Sequence, residues 1–390
     1  MDPDRQYDIV LYGATGFAGR LTAEYLARHA PKGLRWAIAG RSQERLEAVR
    51  AELAAIDPSH AELALVVADS ADEASLVAMA GSTRVLVTTV GPYALYGEPL
   101  VKACAETGTD YVDLTGEPSF VDEMYLKYHE TAVRTGARLV HCGGFDSIPA
   151  DLGAYFTVLQ LPEGVPITVS SRVRAAFRPS GGTFYSALNG FGHAKDTIVA
   201  GYKRAKAEPK PSGRKVGKAL TLLGREPEMG AWVAPLPTID QFIVERSAAA
   251  IERYGPDFRY GHHYAAKHLS TVALGTAGVT GIFVLAQIPP LRRALMNRIP
   301  PGTGPSPERR AQNWFRIEFV GEGGGQTVRT AISGGDAGYD ETAKMLSELA
   351  MALVLDDLPD RTGQLTPVTA AGDALLERLP RAGIKLEVVS

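Results

Sequence analysis

Asp8-Ile9-Val10-Leu11-Tyr12-Gly13-Ala14-Thr15-Gly16-Phe17-Ala18-Gly19-Arg20-Leu21-Thr22-Ala23 decides the fold of this chain. A short apolar run meets a glycine-rich turn, which passes into helix-forming residues. Gly13, Gly16 and Gly19 stand three apart. Small residues let the backbone come close to a pyrophosphate. The N-terminus of the following helix faces that group with free N–H donors and the positive end of its dipole. The spacing differs from the commoner Gly-x-Gly-x-x-Gly, so the strand before it and the helix after it carry the assignment. The stretch predicts the opening of a doubly wound, Rossmann-type domain, with Gly13, Thr15, Gly16, Phe17 and Gly19 at a dinucleotide.

Working outward, Leu34–Gly40 reads as a second strand, followed by Arg41-Ser42 and a helix to Ala55. An NAD site places a carboxylate here, to hold the ribose 2′-hydroxyl. This chain has Arg41 and Ser42 instead. A guanidinium and a hydroxyl suit the 2′-phosphate of NADP, so NADP is the expected cofactor.

Apolar runs at 64–68, 85–90, 111–114 and 138–142 continue the alternation of strand and helix. Six such strands predict an α/β fold, an N-terminal Rossmann domain with a buried parallel sheet over residues 1–150. Beyond Gly153 the pattern changes. Thr168–Arg174 alternates polar and apolar residues, and Lys203–Lys218 reads as an exposed basic loop or short helices. Residues 314–320 and 326–332 alternate on either side of a glycine-rich turn, as in a hairpin. A second α+β domain with an antiparallel sheet, for substrate or dimerisation, is expected over 151–337. Residues 338–390 are expected to supply C-terminal helices and a strand that pack back on the first domain.

The 390 residues carry a net charge of −3, which excludes the electrostatic footprint of a nucleic-acid binder. Two cysteines, Cys104 and Cys142, fit a reducing cytoplasm rather than a disulfide framework. The polar start, Met1–Tyr7, does not read as a secretory signal. Leu269–Ile288 contains no charged residue, although three glycines and several hydroxyls moderate its apolarity. A buried or oligomer-forming helix, a helix in peripheral contact with a membrane, and a true span are the three readings it allows.

Ligands in open α/β sheets sit at the carboxyl ends of the strands. Asp69 and Ser70 end the third strand, where a carboxylate can accept from the adenine amino group or the segment can cap a helix. Gly91 and Pro92 end the fourth, where glycine permits close approach of a nicotinamide ring. Tyr93 and Tyr96 follow, each a candidate proton donor or a packing residue. Asp146 and Ser147 lie in a glycine-opened loop after the sixth strand, as a candidate acid or as a helix cap. Tyr93 and Asp146 are taken as the catalytic candidates from position alone. Arg172, Arg174 and Arg178 alternate on one strand and share a face. They can bind substrate carboxylates or form a solvated face.

Taken together, Gly13–Gly19, Ala39-Gly40-Arg41-Ser42, Val90-Gly91-Pro92-Tyr93, Tyr111–Glu117 and Cys142–Pro149 resemble the saccharopine dehydrogenase-like oxidoreductases. Ser180-Gly181-Gly182-Thr183, Tyr254–Phe258 and Leu365-Thr366-Pro367 agree. Within that family the chain is most similar to the actinobacterial trans-acting enoyl reductases. The resemblance implies a Rossmann domain plus an α/β domain, NADPH use, and reduction of an enoyl double bond on a polyketide or fatty-acyl lipid. It also implies a substrate presented by a partner synthase. It transfers no residue as the catalytic acid. A saccharopine-type amino-acid dehydrogenase and a non-catalytic, nucleotide-bound lipid-docking protein remain the alternatives.

Overall fold

The computed structural model describes residues 5–176, 188, 192, 194–219, 223–226, 230–288, 290–292 and 304–389. The first sheet begins with β1 (Tyr7–Tyr12), β2 (Trp36–Gly40), β3 (Ala64–Val67), β4 (Thr83–Thr88), β5 (Asp110–Asp113) and β6 (Arg138–Val140). They lie in the order β6-β5-β4-β1-β2-β3, all parallel. The order reverses between β1 and β4, which opens a crevice beside the glycine turn.

The helices of this half are α1 (Phe17–His29), α2 (Gln43–Ile56), α3 (Glu73–Gly81), α4 (Tyr93–Tyr96), α5 (Glu98–Thr107) and α6 (Pro118–Thr135). Side chains alternate across a strand. Ile9 and Leu11 therefore enter one core with Leu26 and Leu46, while Val10 and Tyr12 enter the other with Leu76, Leu100 and Phe120. Covering both faces explains why these strands read as unbroken apolar runs.

α7 (Ile148–Leu159) leads out of the loop after β6 and packs on the second sheet. A Cβ on its Gly153 would lie 2.3 Å from the Phe319 ring, so the helix sits flush on that sheet. The second sheet holds β7 (Ile167–Ala176), β8 (Lys215–Lys218), β9 (Gly224–Glu226), β10 (Ala231–Pro235), β11 (Asp257–Ala266), β12 (Trp314–Gly323) and β13 (Gln326–Gly334). It is mixed rather than wholly antiparallel: β11 runs parallel to both β7 and β8. The hairpin β12–β13 turns on Gly324 and Gly325 alone, both at positive φ, so the strands run longer than their alternation marks.

Among the described residues this half also carries α8 (Ala194–Ala207), α9 (Asp240–Ala250), α10 (Leu269–Ala286) and the short α11 (Pro307–Arg310). The basic stretch 203–218 is helix α8 to Ala207, a connecting loop over 208–214, and strand β8 from Lys215. Arg204 explains the difference: it is buried and bonded to Gln364 and Glu208.

The C-terminal segment serves both sheets. α12 (Asp340–Leu355) packs on α1 and the first sheet. β14 (Gly363–Leu365) adds a seventh parallel strand beside β6. α13 (Pro367–Arg381) packs on α7, and β15 (Lys385–Val388) pairs with β13. Arg178 and the segment Ser180–Thr183 lie outside the described residues.

Candidate functional site

The glycine turn is built by steric exclusion. Gly13 sits at φ +92°, and a Cβ there would lie 2.7 Å from a Val90 methyl. At Gly19 a Cβ would lie 2.1 Å from the Gly13 carbonyl oxygen, so only glycine lets α1 close onto the turn. The Gly16 N–H donates to that carbonyl at 2.9 Å, and the Thr89 hydroxyl donates to it at 3.3 Å. No side chain caps α1 at Gly16, and its first turn carries no acid. The first N–H groups of α1 are therefore left for an anion. Thr15 stands over Gly40 at the end of β2. Phe17 meets Tyr339 edge-on at 4.7 Å, with the Arg310 guanidinium 5.6 Å from its ring. It therefore anchors the turn through packing.

Arg41 is exposed, and no hydrogen bond or ion pair among the described residues engages its guanidinium. The Ser42 hydroxyl accepts from the Arg45 N–H at 3.3 Å and caps α2. At the end of β3, one Asp69 oxygen accepts from Ala71 N–H at 2.9 Å, closing its own turn. Asp72 supplies the cap of α3. Ser70 lies beside the buried phenol of Tyr12. Gly91 is exposed beyond β4 and Pro92 leads into α4.

Tyr93 does not overhang this crevice. It is 4% exposed. Its phenol donates to the Thr88 carbonyl at 3.1 Å and accepts from Leu114 N–H at 3.4 Å. Burial, then the charge of Asp113, holds its pKa well above the ordinary phenol value. The side chain braces the ends of β4 and β5, and its proton is committed to a strand carbonyl. The apolar run before it concealed this, because burial depends on what α4 packs against. Tyr96 is exposed at the other end of α4.

Two buried carboxylates that the sequence analysis passes over organise the same loops. Glu117 accepts from the Tyr93 and Ala94 N–H groups, both at 3.1 Å. Asp113 accepts from the Tyr111 phenol at 2.9 Å and from the Thr115 and Cys142 N–H groups at 3.0 and 3.1 Å. It also lies 2.7 Å from His141 Nδ1. These bonds fix the loops that carry Gly116 and Asp146. The only signal in the sequence is one charged residue ending the apolar run of β5 and another four positions on.

Asp146 sits in the turn between β6 and α7. A Cβ on Gly116 would come within 3.3 Å of its carboxyl oxygen. Burial, and secondarily the negative charge of Asp240, pushes its pKa up to about 7. A carboxyl with a pKa near neutral pH exchanges its proton readily there, as general acid–base chemistry requires. Ser147 does not cap α7 through its side chain. Asp240 begins α9, and its carboxylate lies 3.8 Å from His262 Nε2. Asp240 thus brings negative charge to this turn from the half of the chain that holds the second sheet.

Arg172 is buried and forms an ion pair with Glu226, its Nε donating at 2.6 Å. Its charge is neutralised within the sheet, which corrects both readings of that strand for this residue. Tyr202 and Lys206 have the Tyr-x-x-x-Lys spacing of a dehydrogenase acid pair. Tyr202, however, stands 74% exposed on α8, which packs on α6.

A glycine cradle that a Cβ would fill, an uncapped helix N-terminus and a free arginine after β2 fit a phosphorylated dinucleotide. Comparison with known proteins agrees. Residues 9–140 match the saccharopine dehydrogenase NADP-binding domain. A Mycobacterium tuberculosis protein provisionally named a trans-acting enoyl reductase is 41% identical, over 98% of this chain and 97% of its own. The trans-acting enoyl reductase of Mycobacterium bovis is 38% identical, again over 98% and 97%. Saccharopine dehydrogenase (L-Glu forming) of Saccharomyces cerevisiae superposes with a TM-score of 0.55, covering 98% of this chain and 100% of that one at 13% identity. That likeness establishes the shared fold. The chain belongs to the saccharopine dehydrogenase-like oxidoreductases, in the group of the trans-acting enoyl reductases. It is an oxidoreductase that uses NADP.

Proposed function

We propose that the protein reduces an enoyl double bond of a polyketide or fatty-acyl lipid intermediate, presented in trans by a synthase. Identity of 36–41% across nearly the whole chain to trans-acting enoyl reductases carries this reading. Bound NADPH supplies the hydride for the β-carbon. The glycine turn and the N–H groups of α1 bind its pyrophosphate, and Arg41 takes the 2′-phosphate. Asp146 holds the proton destined for the α-carbon and releases it as the double bond is reduced. Gly116 leaves room beside the Asp146 carboxyl, which a Cβ there would approach to 3.3 Å. The burial of Arg172 against Glu226 weighs against a polar, multiply charged substrate, because that arginine has no charge to spare.

The test is NADPH consumption by the purified protein with long-chain 2-enoyl thioesters and, separately, NADPH formation from NADP+ with saccharopine, whose secondary amine can only give up hydride. Turnover confined to the enoyl thioesters supports the reading. Turnover confined to saccharopine overturns it. Tight NADPH binding with no turnover of an enoyl group, free or synthase-bound, points to the non-catalytic alternative.

A further inference from the structure

The surroundings of α10 do not match its chemistry. Its 18 residues carry no charge, and their mean hydropathy is 1.8. A helix of that composition normally lies in a core. Here only Val272 and Ala286 are buried, 11% of the stretch. Leu274 is 74% exposed, Val284 54%, Val279 47% and Phe283 39%. Where Cβ atoms would stand on Gly275, Gly278 and Gly281 there is no neighbour within 4 Å.

At about 100° per residue, those four large side chains point to widely separated directions around the axis. A helix that docks on another protein shows an apolar stripe and a polar back. α10 has no polar back, so its partner must be apolar on every side. Hydrocarbon meets that requirement, whereas the surface of a folded protein offers one face.

The two ends of the helix have the chemistry of a headgroup layer. Val272 packs with Ala234 and Ala266, and half-buried Trp232 and Tyr264 lie against them. Lys267 and His268 are exposed just before the helix, and Arg292 follows it. Aromatic rings and cations gather at membrane interfaces, and the cations favour anionic lipid. By length, about 27 Å at 1.5 Å per residue, α10 could reach across a bilayer. The topology argues against a crossing. β11 precedes it and β12 follows it, and both belong to the same sheet. The chain therefore returns to the side it left, and among the described residues no second helix is long and apolar enough to bring it back.

We propose that α10 is a monotopic anchor that inserts into one leaflet of an anionic phospholipid bilayer. The full chain, purified with bound NADPH, is mixed with phosphatidylcholine vesicles with and without phosphatidylglycerol, then separated by flotation. It is expected to float with vesicles, more strongly with the anionic ones. The double variant Leu274→Asp, Val279→Asp is expected to lose at least about tenfold in flotation, since charge within hydrocarbon is costly. Unchanged NADPH affinity shows that the variant is folded. No flotation of the parent protein, or equal flotation of both, overturns the proposal. A parent oligomer that the double variant converts to monomers, without vesicle binding, assigns the helix to a second copy instead. Lys267→Cys and Leu291→Cys then test the leaflet, because Cys104 and Cys142 are buried. Both new thiols should react with an impermeant reagent added outside the vesicles. Protection of Leu291→Cys alone would indicate a crossing and overturn the monotopic form.

Discussion

The two sheets treat their polar groups in opposite ways. At the carboxyl edge of the first, the N–H groups opening α1 are uncapped, Arg41 is unpaired among the described residues, and Asp146 stays protonated up to about pH 7. In the second, Arg172 is paired with Glu226, and Arg316 with Glu318 and Glu387. His262 shares its Nδ1 with Ser171 and Tyr260, at 2.8 and 3.0 Å. Leaving a polar group unmatched costs free energy unless something completes it. A fold keeps such groups where a ligand will do so, and the contrast therefore separates a binding edge from a scaffold.

Asp146→Asn tests the contrast hardest. Its amide cannot give up a proton, so kcat should fall about 100-fold or more while the Kd for NADPH stays within about twofold. The parent activity should also decline as pH rises through about 7, where Asp146 loses its proton. A steady-state pH profile of both proteins checks this, and an undiminished kcat in the variant would move the acid elsewhere.

Stability should follow the same carboxyls. Burial raises Asp151 to about 7 as well, although its carboxylate accepts from the Val368 N–H at 3.0 Å. Between about pH 4 and pH 7 the folded state then binds more protons than the unfolded chain. Stability accordingly decreases as pH rises through that window, by about 1.4 kcal/mol for each tenfold difference in proton affinity. Asp151→Asn should flatten the profile in urea denaturation. A slope identical to that of the parent would mean that Asp151 titrates normally.

Arg41→Asp should weaken NADPH binding about 30-fold and leave NADH binding within a few-fold, read by fluorescence titration, because only NADPH offers a phosphate to lose. In the scaffold sheet, Arg172→Ala should destabilise by about 2 kcal/mol through the half-buried Glu226 it strands. It should leave kcat per folded molecule unchanged. An effect on kcat alone would erase the distinction between the sheets. Tyr93→Phe should do least: about 1 kcal/mol of stability for the bond to Thr88, and kcat within about twofold.

How much of this was legible varies by residue. Gly13, Gly16 and Gly19 could be read in advance because their role is local: turn geometry and helix start follow from a few successive residues. Arg41 was equally legible, since its place follows from counting one strand onward. Asp146 was located by its loop, but its proton affinity was not. That depends on burial and on Asp240, which is 94 positions away in sequence. Tyr93 was misjudged for the same kind of reason. Its phenol is satisfied by Thr88, nearby in sequence, but buried by Phe120 and the elements around it. Asp113 and Glu117 gave little warning, because a carboxylate that accepts backbone N–H groups looks in sequence like any charged residue after a strand.

The amino-acid sequence by itself determined the parallel sheet, the glycine turn, the preference for NADP and the charge-free stretch at 269–288. Each is a short-range pattern of spacing, apolarity or charge, and such patterns survive without knowledge of neighbours. Only the tertiary structure decided that the second sheet is mixed and that the C-terminal chain completes both sheets. It alone decided that Arg172 is spent, that Asp146 holds its proton more tightly than a free carboxyl does, and that the apolar helix stands outside the core. Pairing, burial and exposure arise between residues far apart in the chain, and no local pattern encodes them.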